Sequence, residues 1–516
     1  MPLHLRALVV ILILAVAVFI LARRPAGFSI SDDDFRRRRN LWFAVTLIAF
    51  LAHNFWIFMA VTGLLLAFAG RREHSPIALF IWLLFAVPPF SASLSGLGIL
   101  NQLLVINYPR LLALVLLLPA FIVLRRQAQH ESKSGYWPDY LVAGYLAVQL
   151  TLQFSADSAT NTARYATYAI LDVGLPYYVA SRSLRKVEAY REVAMSFSVV
   201  CILIGLIGMF ETIRAWLLYA SLDSVLNVHW RLGNYLVRSG ELRAQATTGQ
   251  PIVLGYLMVV ALGFYAYLAR CVSSRLFWWL GFAVLLGGLI STYSRGPWIA
   301  GVVGLVVFRL STPKALGGML KAMLIVGAVG GMLLVSPMGH RIIDLLPFVG
   351  SIETENIDYR QRLLMVSIDV ILQNPWFGSF SYRQALVDQD LVIGGMVDVV
   401  NSYLGIGLAN GLVGLVFFVA SFLYVISSIW LSMRRLPDAS VEIHTVGSGL
   451  LACLVGIMVT IFTVSSISLI PVVYWTVLGL GMGYVVMVRQ HLQSAGSPQG
   501  VVSAPSQRPF FPQRAG

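Results

Sequence analysis

The chain has 516 residues, 58% of them hydrophobic and 12% charged, with a formal net charge of +14. A soluble domain of this size cannot hide so much apolar surface, so the composition excludes a water-soluble globular protein. The basic balance then reads as positive loops on the cytoplasmic side of a membrane, not as a nucleic-acid footprint.

Continuous apolar runs of about 15–25 residues predict transmembrane helices, since barrel strands would alternate. In chain order they fall near 4–22, 77–95, 109–124, 139–154, 165–181, 193–213, 251–269, 276–293, 297–310, 316–335, 399–430, 446–465 and 469–488. Residues 41–70 form a run too long for one helix, and His53-Asn54 marks a break into two. The first run lacks a small-residue cleavage site before Arg23-Arg24 and reads as a retained anchor. The expected fold is an all-α integral membrane protein of about 12–14 transmembrane helices with one large loop between late helices. Cys201, Cys271 and Cys453 lie in or at the ends of apolar runs, with no CxxC and no disulfide framework.

Orientation follows the basic clusters. Residues 23–39, Arg71-Arg72, 125–133, 181–186, Arg270 to Arg275, Arg309 to Lys314 and Arg434-Arg435 are the cytoplasmic candidates. With these inside, the spans from 77 onward alternate, 41–70 leaves and returns, and the N-terminus falls outside. Three stretches face outward: a loop at 214–250, the turn "SRGPW", and a loop at 336–398 that is too large for a simple connector. The tail 489–516, rich in Ser, Pro, Gln and Gly, is expected to be disordered on the cytoplasmic side.

Soluble-enzyme motifs are missing. There is no GxxxxGK[ST], no HExxH and no Cys/His cluster, so neither an ATP-driven step nor a zinc site is expected. The acids of "SDDDF" (31–35) and "VDQDL" (387–391) read as solvated loop residues. The outer-face cations are all arginine: Arg164, Arg214, Arg231, Arg238, Arg243, Arg295, Arg341, Arg360, Arg362 and Arg383, while the four lysines fall in or near the inner side. Arginine offers a planar fork that matches phosphate oxygens. Arg243 stands a few residues before a span and Arg295 between two spans, so both belong at one membrane surface, at headgroup depth. Anchoring at the interface or an internal ion pair is the competing explanation. Asp172, mid-span beside a Gly and a Pro, reads either as a proton site or as half of a structural pair.

"ISTYSRGPWIAGVVGLVVF" resembles the serine-arginine-glycine span of the O-antigen ligase and repeat-unit polymerase superfamily. "RAQATTGQPIVLGYLMVVAL" is similar to that family's arginine-containing entry to the preceding span. "YRQRLLMVSIDVILQNPWFGSFS" resembles its loop, and "VDVVNSYLGIGLANGLVGLVFF" the helix that closes it. The resemblance divides the chain into N-terminal helices (1–240), a core with a periplasmic loop at 336–398 (241–425), C-terminal helices (426–488) and the tail. It implies a GT-C-like glycosyltransferase of the bacterial inner membrane, acting at the periplasmic face. The implied donor is an oligosaccharide on undecaprenyl diphosphate, used without cofactor, metal or nucleotide, and no nucleic acid is a partner. Arg243 and Arg295 match the arginines that grip the diphosphate, with Arg360 a third by motif position and Arg362 a further candidate. Ligases of the family carry a histidine just before the Asn of the closing helix. Here that position is Val400, which tilts the reading toward a polymerase of exopolysaccharide or O-antigen repeats, with a chain-length regulator as a candidate partner. Asp398, Asn401 and Tyr403 are the nearest polar groups, Asp398 being the candidate base. A ligase acting on a lipid acceptor and a lipid-linked oligosaccharide flippase are the alternatives.

Overall fold

The computed structural model describes residues 1–96, 102–128, 136–230, 232–238, 240–272, 274–312, 354–389, 391, 399–437 and 440–496. The chain is an all-α integral membrane protein with two small hairpins. Among the described residues, eight helices are long and apolar enough to cross a bilayer. That is fewer than the 12–14 read from the sequence. The run 276–293 forms a helix of only 16 residues, other expected spans are interrupted, and the span at 316–335 lies outside the described residues.

The N-terminal arm comprises α1 (Leu3–Ala26), α2 (Asp32–Leu51) and α3 (Phe55–Ala69). The break at His53-Asn54 is present. His53 takes φ +51°, and the Asn54 side chain accepts from the N–H groups of Trp56 and Ile57 to start α3. Residues 23–39 are only partly loop. Ser31 caps α2 by accepting from Asp34 N–H, three aspartates complement the helix dipole, and Arg36 to Arg39 continue as helix.

Helix α4 (Pro76–Leu84) stops after nine residues, all of them buried. The span expected over 77–95 is therefore corrected. The Pro88-Pro89 pair cannot continue a helix, and strand β1 (Ser91–Ser95) pairs antiparallel with β2 (Gln102–Asn107). Next come α5 (Tyr108–Leu112), a π-helical turn at Ala113–Leu117 and α6 (Leu118–Ala128), then α7 (Trp137–Ala156). The span near 165–181 is α8 (Ala159–Ala169), a second π turn at Ile170–Gly174 and α9 (Leu175–Ser183).

The centre of the bundle is α12 (Pro251–Leu268), 94% of whose residues are buried. It packs against α10 (Val187–Arg214), α13 (Arg275–Ile290) and α14 (Arg295–Ser311). Between α10 and α12 run the short α11 (Leu222–Leu226) and the hairpin β3–β4 (Val237–Arg238, Glu241–Leu242). The remaining helices are α15 (Thr354–Gln373), α16 (Tyr382–Val387), α17 (Ser402–Arg434), α18 (Val441–Ile461) and α19 (Ile470–Gly496). Because α19 runs to Gly496, the disorder expected from residue 489 does not hold for 489–496; the tail beyond lies outside the described residues. Outward apolar stripes such as Val9, Ile13, Val16 and Ile20 on α1 suit a lipid surround.

One end of the bundle is closed by ion pairs. Fully buried Arg38 donates to Glu73 Oε1 at 2.7 Å and pairs with Glu192 on α10, while Arg191 reaches Glu442 at the start of α18 at 2.6 Å. Asp34, Glu73 and His74 each place a ligand-type atom within 4.8 Å of the others. Arg37 bonds both carboxylates and Arg38 bonds Glu73, so a cation would have to displace them.

Candidate functional site

The opposite end is organised by the turn 291–294 between α13 and α14. A helix C-terminus leaves carbonyls without intrahelical partners, and here successive groups take them. The Ser291 carbonyl accepts from Ala244 N–H at 2.9 Å and from Thr212 Oγ1 at 3.2 Å. The Thr292 carbonyl accepts from Arg243 Nε at 3.0 Å, and that of Tyr293 from Arg238 Nη1 at 3.0 Å. Tyr293 sits at φ +47°, costly for a residue with a Cβ, and these bonds hold it there.

Arg243 also donates from Nη2 to Ser294 Oγ at 2.8 Å, and that hydroxyl donates to the Thr292 carbonyl at 3.1 Å. Ser294 is the N-cap residue of α14, yet its side chain makes no capping bond. Arg295 is the first residue of the helix. The Arg243 guanidinium and the Arg295 position thus both fall at a helix N-terminus, the wrong sign for the macrodipole and the right sign for an anionic ligand. Arg243 is at once a staple of the turn and a cation at its surface.

The segment after β4 that carries Arg243 is held in turn by Glu211, in the last turn of α10. Its buried carboxylate accepts from the N–H groups of Leu218 (3.0 Å), Gln245 (3.0 Å) and Ala246 (2.7 Å). Sequence reasoning missed this residue; the available signal was a lone acid closing the apolar run in "GMFETIR".

The start of α14 meets the linker between α18 and α19. Any side chain at Gly296 would collide with the Thr463 hydroxyl. One residue on, the Val464 carbonyl accepts from Ser402 N–H (3.1 Å) and Ser402 Oγ (2.6 Å), which brings the start of α17 beside Arg295. Asn401 caps α17 through Oδ1, accepting from Tyr403 N–H (2.9 Å) and Leu404 N–H (3.3 Å), and the Tyr403 hydroxyl donates to the Met458 carbonyl (3.0 Å). The structure gives both residues supporting roles. Asp398 lies outside the described residues.

Arg360 and Arg362 ride on α15. Tyr359, Val399 and Val400 pack against an apolar cluster of Leu363, Val370, Leu386, Leu391 and Leu408, so this part of α15 lies next to the start of α17. Positions two apart on a helix point about 200° away from each other, so the two arginines cannot address one ligand together. Arg360 shares the side of buried Leu363, three residues on.

The Asn-Pro…Gly motif has a definite task. Helix α17 breaks at Gly411, with φ +64° and ψ −169°. The groups freed by the kink bond the motif: Leu412 N–H to the Pro375 carbonyl (2.7 Å), Val413 N–H to that of Trp376 (3.1 Å), and Ser379 N–H to that of Leu408 (2.8 Å). The described part of the large loop is thereby docked onto the bundle.

Asp172 is not part of this arrangement. It sits in the second π turn and takes a two-pronged bond from Arg110, at 3.1 Å from Nε to each oxygen and 2.7 Å from Nη2. The Arg110 guanidinium lies 3.7 Å over the Tyr168 ring. Of the two readings of Asp172, the structure favours the structural pair.

No curated protein matches the chain. A family model described as O-Antigen ligase matches residues 280–419. The matched stretch contains the 291–294 turn, Arg295, α15, the motif at the kink and the start of α17. Over this stretch, and not over the rest of the chain, the sequence is similar to the O-antigen ligase family.

Proposed function

We propose that the protein is a membrane glycosyltransferase that polymerises oligosaccharide repeat units carried on undecaprenyl diphosphate, at the periplasmic face of the bacterial inner membrane, during surface polysaccharide synthesis. The observation that carries this reading is the Arg243 guanidinium bonded to Ser294, the cap position of α14, directly before Arg295 at the first position of that helix, inside or beside the matched stretch. An acceptor hydroxyl attacks the sugar carbon that bears the diphosphate. The new glycosidic bond forms, the bond to the phosphate oxygen breaks, and undecaprenyl diphosphate leaves with the electron pair. Negative charge grows on that leaving group, and fixed cations in a site of low dielectric stabilise it without reorganising. Arg360 is the third proposed contact. Asp398, three residues before the cap of α17, is the proposed base for the hydroxyl proton. Asp398→Asn keeps the size and polarity of the side chain but cannot take a proton, so full activity in that variant would remove it from the mechanism.

Transfer of a finished glycan to a lipid acceptor is the second reading, favoured by the description of the family model. Gene deletion followed by analysis of lipid-linked intermediates separates the possibilities. Accumulation of single lipid-linked repeats means a polymerase, and full polymer retained on its carrier means a ligase. Unchanged polysaccharide sinks both. The proposed face is tested by a reporter fused near residue 370, which should be active only outside the cytoplasm.

A further inference from the structure

A second polar feature lies at the same end of the bundle, outside the arginine turn. It is a cavity of about 350 Å³ lined among others by Ser91 on β1, Asn107 at the end of β2, Asp172, His229, Trp230 and Ser468. That volume falls within the range of small-molecule sites, roughly 300–1,000 Å³.

Three observations point to a ligand. Ser468 lines the cavity and holds φ +53°, a conformation that favours glycine, and its hydroxyl has no hydrogen-bond partner among the described residues. Asp172 reaches the wall from a π turn, a local distortion that turns a side chain off the regular helix face and recurs at functional sites. The described lining contains an imidazole, hydroxyls, a side-chain amide, the indole of Trp230 and a carboxylate whose charge Arg110 already answers from behind, with neither lysine nor arginine in the lining itself. This mixture is unsuited to a diphosphate. It suits a saccharide, whose hydroxyls need donors and acceptors and whose C–H faces lie against aromatic rings.

The cavity is also within glycan reach of the arginines. Thr463 abuts Gly296, next to Arg295, and Ser468 is five residues further along the same linker. Even a fully extended chain would separate them by at most roughly 17 Å. Trp230 and Arg243 are joined as closely, because Trp230 packs on Gly249 and Gly233 N–H bonds the Gly249 carbonyl at 2.8 Å.

We propose that this cavity is a saccharide subsite that binds sugar residues of the repeat unit while the arginines at α14 hold the diphosphate. The inference rests on the functional reading above. Two variants isolate it. Ser91→Trp places a bulky side chain from an exposed strand position into the cavity, and aromatic residues are at home in strands. Ser468→Gly deletes the hydroxyl at a backbone conformation that glycine prefers. The probes are lipid-free repeat-unit oligosaccharide released from the host's surface polysaccharide, the same glycan on undecaprenyl diphosphate, and undecaprenyl diphosphate alone, titrated calorimetrically into the purified full chain.

Ser91→Trp should bind a glycan-bearing probe at least tenfold more weakly than wild type, and Ser468→Gly several-fold more weakly. Both should bind undecaprenyl diphosphate within twofold of wild type. Loss with the lipid-free glycan assigns the cavity to the acceptor; loss with the lipid-linked glycan alone assigns it to the donor. Wild-type glycan affinity in Ser91→Trp, or an equal loss of undecaprenyl diphosphate, overturns the proposal. If Arg295→Lys binds undecaprenyl diphosphate normally while Ser91→Trp still loses glycan, the arginine reading fails and the saccharide subsite stands.

Discussion

At the scale of single residues, two groups do different kinds of work at the α14 turn. Arg295 stands where a cation disfavours the helix by about 0.3–1 kcal/mol, a cost that makes sense if an anion arrives there. Arg295→Lys keeps the charge but loses the bidentate fork. It should lower polymer formation at least tenfold with normal membrane insertion, read from polysaccharide gels alongside quantified protein. Wild-type polymer in this variant would mean that the arginine is an anchor. Glu211 acts one step back. In Glu211→Gln a single carbonyl oxygen must serve three N–H groups where a carboxylate served them with two. The substitution should destabilise the fold by about 1–3 kcal/mol and lower the thermal midpoint in detergent. The arginines were legible because each breaks an apolar pattern beside a span. Glu211 was not, because an acid at the end of a span reads the same whether it faces water or the backbone of a later loop.

At the scale of elements, apolar runs located most helices to within a few residues, since both the count and the helix answer to burial. They failed where local chemistry overrides composition. Pro88-Pro89 turned an expected span into a hairpin, and three aspartates behind a serine cap made helix out of an expected basic loop. The kink of α17 was equally hidden, because Gly411 is one of several glycines in "GIGLANGLVGL". Its φ and ψ belong to a region open essentially to glycine alone, and a Cβ would strike the Trp376 carbonyl. Gly411→Ala should therefore cost on the order of 1–3 kcal/mol and undock the loop that bonds the kink. Limited proteolysis of the purified protein reads this directly: cleavage between 374 and 391 should quicken, while the bundle stays intact. Unchanged cleavage would mean that the motif is not what fastens the loop.

Across the whole molecule, the two ends differ in how their charges are arranged. At the α14 turn, arginines converge on backbone oxygens and a helix N-terminus, while Arg110 nearby is answered by Asp172. At the other end, arginines are answered by carboxylates, and Arg38 joins the N-terminal arm to α10. Composition could show the excess of positive charge but not this division, because pairing depends on contacts as remote in sequence as Arg38 and Glu192. The paired end should respond to pH with a definite sign. Burial alone would raise the Glu73 carboxyl, but the Arg38 and Arg37 charges and hydrogen bonds hold it down to about 2. A carboxyl depressed in the fold stabilises fully above its ordinary value of 4.5 and loses that contribution as pH falls toward 2. His74 runs the other way. Its bond to Glu192 raises it above 6.5 despite partial burial, so its contribution is complete below that value and fades as pH rises through the raised one. The thermal midpoint should fall steeply between pH 4.5 and 2, and shallowly as pH rises above 6.5. Arg38→Met leaves two carboxylates buried without their cation and should cost about 3–5 kcal/mol near neutral pH. In Arg38→Met/Glu73→Met/Glu192→Met the charges leave together, so most of that loss should return and the acid limb of the curve should flatten. If Arg38→Met unfolds at the wild-type temperature, or the triple variant keeps the acid limb, this network is not what fastens the arm to the bundle.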